Sequence, residues 1–180
     1  MSDFFDNYFD LINNKNRIVK HEDLELISKI IEKVNGNGGQ VIIVGNGGSA
    51  AIASHAAIDF TKAANIPATT FNESSFLTCF ANDYGYEHWV EKALEFHARK
   101  NDMVILISSS GESRNIINGA KKAKEMKLPL ITLSGFSEKN ELKEMGDVNL
   151  WIDSTQYNIV EIVHQTWILS IVDFLIEKNN

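Results

Sequence analysis

Apolar positions in this chain follow two rhythms. Phe5, Phe9 and Ile12, then Leu24, Ile27, Ile30, Ile31 and Val34, recur every three or four residues, the period of an amphipathic helix. The run NGNGG, Asn35 to Gly39, predicts the end of the second helix, because glycine accepts the left-handed backbone of a helix C-cap. Beyond it the rhythm changes. VIIVG (Val41–Gly45), MVILISSSG (Met103–Gly111), PLITLSG (Pro129–Gly135) and VNLWI (Val148–Ile152) are short apolar runs bounded by turns. Runs apolar on both faces and separated by helices predict parallel strands covered on both sides. ATTF, Ala68 to Phe71, predicts a fifth strand, and Val160–Glu177 a long closing helix. The expected fold is a single α/β domain over residues 1–180, with a five-stranded parallel sheet flanked by helices. Residues 1–36 form its N-terminal helical extension and 37–180 its α/β core.

Length and charge narrow the reading. The 180 residues suit one domain, and no linker, repeat or low-complexity tract divides them. A net charge of −7 opposes a nucleic-acid backbone as the main partner, so no direct nucleic-acid binding is expected. Cys79 is the sole cysteine, which rules out an intrachain disulfide and fits a reducing compartment. The first twenty residues are acidic from Asp3 onward and hold no long apolar run, unlike a signal peptide or a membrane span. The expectation is a cytoplasmic protein without a membrane partner.

Two predicted strand ends carry chemistry. GNGGSA, Gly45 to Ala50, brings flexible backbone to the start of a helix, where unpaired N–H groups and the dipole attract anions. No Gly-Lys-Ser/Thr follows, and Ala50 stands where a dinucleotide fingerprint needs its third glycine. No nucleotide cofactor is therefore expected, and a plain strand-to-helix turn remains the alternative. The second is SSSGESRN, Ser108 to Asn115. Hydroxyls at a helix start suit a phosphate monoester without a lysine. One serine would suffice to cap a helix, whereas Ser108, Ser109, Ser110 and Ser113 are four. Further along the helix that follows GNGGSA, His55 and Asp59 are spaced i, i+4 on one face. A core histidine and an ion pair of Asp59 with Lys62 are the bland alternatives.

GNGGSAAIASHAAIDF, ANDYGYE and ISSSGESRNIINGAKKAKE together resemble the sugar isomerase (SIS) domain family, and most closely its phosphoheptose isomerase branch. The likeness runs from about Val41 to the C-terminal helix. It implies the five-stranded parallel fold, a sugar phosphate ligand, and a homo-oligomer, usually a tetramer, with active sites between subunits. By resemblance, Ser108, Ser109, Ser110 and Ser113 bind the phosphate. Asn46, Gly47 and Gly48, with Ser49 beside them, form the sugar-binding turn, and Asn82 and Asp83 are a further substrate-contacting pair. In the isomerase branch the positions of His55 and Asp59 hold a histidine and a glutamate. That pair can ligate zinc in some members, and the glutamate moves the proton of the aldose–ketose interconversion.

The chain departs from that branch at two places. Asp59 is one methylene shorter than the glutamate it replaces, a shift on the order of 1.5 Å in reach. The branch also carries a glutamine, a histidine three residues on and a catalytic, metal-binding histidine five beyond that. Here Glu161 and His164 take the first two places, and the third falls on Leu169, or on Ile168 if the register slips by one. The resemblance thus implies Asp59 as base and His164 as its partner in proton transfer, Glu161 as a substrate contact, and His55, Asp59 and Glu161 as ligands should zinc bind. Glu161 and His164 could equally be a local polar pair on an oligomer-facing helix. Three functions remain open. They are a phosphosugar isomerase converting sedoheptulose 7-phosphate to a heptose 7-phosphate through an enediol, a non-catalytic sugar-phosphate-binding or partner-scaffolding protein, and an oligomeric structural protein with idle loops.

Overall fold

The computed structural model describes residues 2–178; Met1, Asn179 and Asn180, the ends of the expected domain, lie outside it. Helices α1 (Ser2–Asn16) and α2 (His21–Gly36) lead into β1 (Val41–Gly45) and α3 (Gly48–Lys62). Then follow β2 (Ala68–Thr69), α4 (Ser74–Tyr84), α5 (Trp89–His97), β3 (Met103–Ser108), α6 (Arg114–Glu125), β4 (Leu130–Ser134), β5 (Val148–Trp151) and α7 (Tyr157–Lys178). The strands form one five-stranded sheet in the order β2-β1-β3-β4-β5, and every pairing is parallel.

Alternation along the strands explains why they are apolar throughout. Val41, Ile43, Met103, Ile105 and Ile107 point into one core layer with Ile27, Ile31, Phe60, Val163 and Trp167 from α2, α3 and α7. Ile42, Val44, Val104 and Leu106 point into the other, with Trp89, Leu94 and Ile116 from α5 and α6. Residues along β1 and most of β3 therefore meet an apolar layer whichever way they face.

The structure departs from the expected elements in three ways. The second strand stops at Thr69 instead of Phe71, because the Thr70 hydroxyl donates to Asn72 Oδ1 (3.0 Å) and draws the chain into a turn. Helix α7 begins three residues early, at Tyr157. The helices α4 and α5 carry no counterpart in the pattern reading. Helix α7 is long and apolar enough to cross a membrane by length and composition alone; here Ile159, Val163, Trp167, Ile171 and Leu175 pack it into the core. Phe4, Phe5 and Phe9 of α1 remain exposed.

Candidate active site

Strand order fixes where a ligand can sit. From β1 the chain crosses through α3 to β2 on one side, and from β3 through α6 to β4 on the other. A crevice opens beyond the carboxyl ends of two such strands. Gly45 is in register with Ile107, so the glycine turn and the serine loop emerge next to each other. Between them lies a cavity of about 270 Å³, lined by Asn46, Gly47, Gly48, Ser49, Ile107, Ser108, Ser109, Ser110, Ser113, Tyr157 and Glu161. The two motifs, far apart in sequence, share one site.

The serine loop is not built to cap its helix. Ser113 occupies the N-cap of α6 but makes no side-chain cap bond; its hydroxyl instead accepts from the Ser108 hydroxyl at 3.1 Å. The loop turns at Gly111, whose φ of +71° suits glycine. A side chain there would also collide with Asn140, whose Oδ1 lies 2.0 Å from the place of a Cβ. The Gly111 N–H donates to Ser108 Oγ (3.2 Å), and the Glu112 N–H to Ser110 Oγ (3.2 Å). Hydroxyls and the open N-terminus of α6 thus converge on the cavity, a donor set suited to an anion.

The glycine turn meets α7. At Gly48 a Cβ would lie 2.1 Å from Glu161 Oε2, so only glycine admits the carboxyl this close to the start of α3. Burial raises the pKa of Glu161 above the ordinary carboxylate value, and the Ser109 hydroxyl offsets part of that rise. No lysine or arginine is among the described residues lining the cavity. Asn46 is anchored by a reciprocal amide pair, donating to Asn115 Oδ1 (2.9 Å) and accepting from Asn115 Nδ2 (2.8 Å). The Tyr86 hydroxyl donates to Asn46 Oδ1 at 3.1 Å. The ANDYGYE stretch therefore reaches the site through Tyr86. Asn82 and Asp83 do not line the cavity: Asn82 donates to Asp83 Oδ1 at 2.9 Å, and Asp83 borders a separate hollow with Cys79, Phe96 and His97.

A second constellation lies along the seam of α3 and α7. His55 Nε2 is 3.1 Å from Asp59 Oδ2, with half-exposed side chains. Gln165 Nε2 donates to His55 Nδ1 at 2.9 Å, leaving His55 Nε2 to carry the proton and donate to Asp59. Tyr157, Glu161, Gln165 and Leu169 are spaced by four residues and share one stripe of α7.

His164 lies off that stripe, and here the sequence expectation needs correcting. It is 0% exposed, and its Nε2 meets the Ser134 carbonyl at 3.1 Å. Burial lowers its pKa to about 4, so the ring is neutral at physiological pH and lies away from the cavity. The expected ligand trio also separates. Glu161 faces the cavity while His55 and Asp59 pair on α3, and among the described residues no three His, Cys, Asp or Glu side chains come together as a metal-holding group. A catalytic zinc takes three protein ligands, so the donors this chain gathers do not fit one. Sequence reasoning missed Tyr86, Asn115, Tyr157 and Gln165. Asn115 ends the quoted serine motif, and the four-residue spacing from Glu161 could have found Tyr157 and Gln165.

Residues 4–135 match the SIS domain family. The phosphoheptose isomerase of Aliarcobacter butzleri is 35% identical over 149 residues, covering 79% of this chain and 78% of that protein. The probable phosphoheptose isomerase of Thermoplasma acidophilum is 36% identical over 166 residues, covering 87% and 90%. Among solved structures, the phosphoheptose isomerase GmhA of Neisseria gonorrhoeae superposes with a TM-score of 0.87 at 27% identity, covering 97% of this chain and 96% of that one. With the fold, the paired loops at the switch point and these relatives in agreement, the chain belongs to the SIS domain family.

Proposed function

We propose that this protein is a phosphosugar isomerase that interconverts sedoheptulose 7-phosphate and a heptose 7-phosphate in the cytoplasm. The observation that carries the reading is the cavity in which the serine loop, the glycine turn and Glu161 meet. Relatives named phosphoheptose isomerase at 35 and 36% identity support the substrate. The phosphate sits against Ser108, Ser109, Ser110 and Ser113. The sugar passes Asn46 to Ser49 and runs along α3. His55 lies seven positions beyond Gly48, roughly 10 Å of helix, a span suited to an extended seven-carbon chain. Asp59, turned back towards His55, takes the proton from carbon 1; the electron pair forms the C1=C2 bond, and the carbonyl oxygen at carbon 2 takes a proton from Nε2 of His55, which lies beside Asp59. The O1 proton then passes to His55, restoring it, and Asp59 returns its proton to carbon 2, which completes the aldose. In this reading the protein is a homotetramer, and Asn82 and Asp83 contact substrate across a subunit boundary. No step is assigned to a metal.

Incubating the protein with sedoheptulose 7-phosphate in deuterium oxide tests this. Deuterium should appear at the carbons beside the carbonyl, together with the aldose. A second reading, a sugar-phosphate-binding protein without turnover, is favoured by one observation: the branch's catalytic histidine position holds Leu169. Ligand-dependent thermal stabilisation without any deuterium incorporation would select it.

A further inference from the structure

We infer that His164 is a positioning residue, which holds α7 to the end of β4 and through it sets the serine loop. Its Nε2 faces a carbonyl, Ser134 O at 3.1 Å, so that nitrogen carries the proton and donates. The same carbonyl accepts the Ile152 N–H (3.0 Å), fixing it in the sheet. The next peptide continues the line: the Gly135 N–H donates to Ser109 O at 3.0 Å, in the middle of the serine loop. Gly135 is gripped from both sides, since a Cβ there would stand 3.0 Å from both Ser109 O and Val160 of α7. Three residues before His164 on α7, Glu161 enters the cavity, and the next residue, Gln165, holds His55. One buried bond therefore fixes the rotation of the helix that supplies both.

The other ring nitrogen makes the assignment specific. His164 Nδ1 is buried and has no hydrogen-bond partner. Such an orphan acceptor disfavours the folded state, and a leucine of similar bulk would avoid it. Histidine at this position thus brings an unmet acceptor, set against one directed donor to Ser134. A proton-transfer role needs contact with the ligand, which a fully buried ring outside the cavity lining does not have.

The inference rests on the proposed isomerase only for its kinetic readout. Amide hydrogen exchange of the peptide spanning residues 108–113, measured without ligand, reads the positioning directly. His164→Leu removes the donor; His164→Gln places an amide N–H near the former Nε2; His164→Asn is polar but too short to reach the carbonyl. Loop amides should exchange roughly tenfold faster in the leucine and asparagine variants than in wild type, as for loss of one hydrogen bond, and the glutamine variant should return towards wild type. With sedoheptulose 7-phosphate, KM should rise in the first two and recover in the third, with the pH profile of kcat unchanged throughout. Should the leucine variant not fold, the asparagine variant carries the same comparison. Equal loop protection in all four proteins would overturn the inference. So would a glutamine variant with wild-type protection and no turnover, which would make His164 a proton carrier. Absence of turnover in wild type, with loop protection following the donor, would remove the isomerase reading and leave the positioning role standing.

Discussion

The cavity at the switch point and the His55–Asp59 face are served by the same two helices, yet they are built to different degrees. The cavity is an open crevice built by one chain: two strand ends fix the loops, Gly48 admits Glu161, and Asn115 holds Asn46 in place. The other face has a histidine paired with a carboxylate, both half open to solvent, and Gln165 bonded to the histidine. Recognition of an anion needs only donors converging within one crevice. Moving a proton at the far end of the ligand needs a second wall, which in the proposed tetramer a neighbouring subunit would supply.

That contrast can be broken at either end. The largest effect should follow Asp59→Asn, which keeps shape and removes the base. Deuterium incorporation should fall by about 10²–10⁴-fold, while thermal stabilisation by inorganic phosphate persists. Full exchange in the variant would mean that the base lies elsewhere. Ser110→Ala with Ser113→Ala attacks the other region. The pair should abolish stabilisation by sugar phosphates and leave the apo melting temperature nearly unchanged. Stabilisation equal to that of wild type would remove the phosphate from this loop. Gly48→Ala tests the contact between the two regions. Its methyl would enter the space of the Glu161 carboxyl, displacing that side chain and lowering turnover by roughly tenfold, more than it weakens phosphate binding.

The smallest effect concerns pH. The pKa of Glu161 is raised in the folded protein, so between the ordinary carboxylate value and the raised one the folded state holds more proton than the unfolded state. Stability attributable to this group therefore falls as pH rises through that window, and below the ordinary value its contribution does not change with pH. Glu161→Gln should melt slightly higher than wild type at neutral pH and lose that advantage near pH 4. An advantage independent of pH would assign it to packing instead.

What the sequence revealed follows from how local each signal is. The five strands were legible because both faces of every central strand meet a core layer, leaving unbroken apolar runs. The serine loop was legible because its donors are consecutive. Helix α4 was not: none of its residues is fully buried, so Phe76, Leu77 and Phe80 leave no sharp apolar stripe. His164 was misplaced for a geometric reason. Glu161 and His164 are three residues apart, which reads as one face, but α7 turns Glu161 and Gln165 towards α3 and His164 inward. Which side of a buried helix faces its neighbour depends on packing that spacing alone does not fix. The ligand trio is not gathered for a related reason: among the described residues Glu161 lines the cavity while His55 and Asp59 pair with each other on α3.

The cation-free lining of the cavity has a kinetic consequence. The chain carries a net charge of −7, and a doubly charged phosphate ester must approach it with no basic side chain among the described lining residues to draw it in. Long-range charge then hinders encounter, while the grip at short range comes from hydroxyls and peptide N–H groups that salt screens little. Added salt should therefore speed association and leave dissociation almost unchanged, the reverse of the behaviour of a lysine-lined phosphate site.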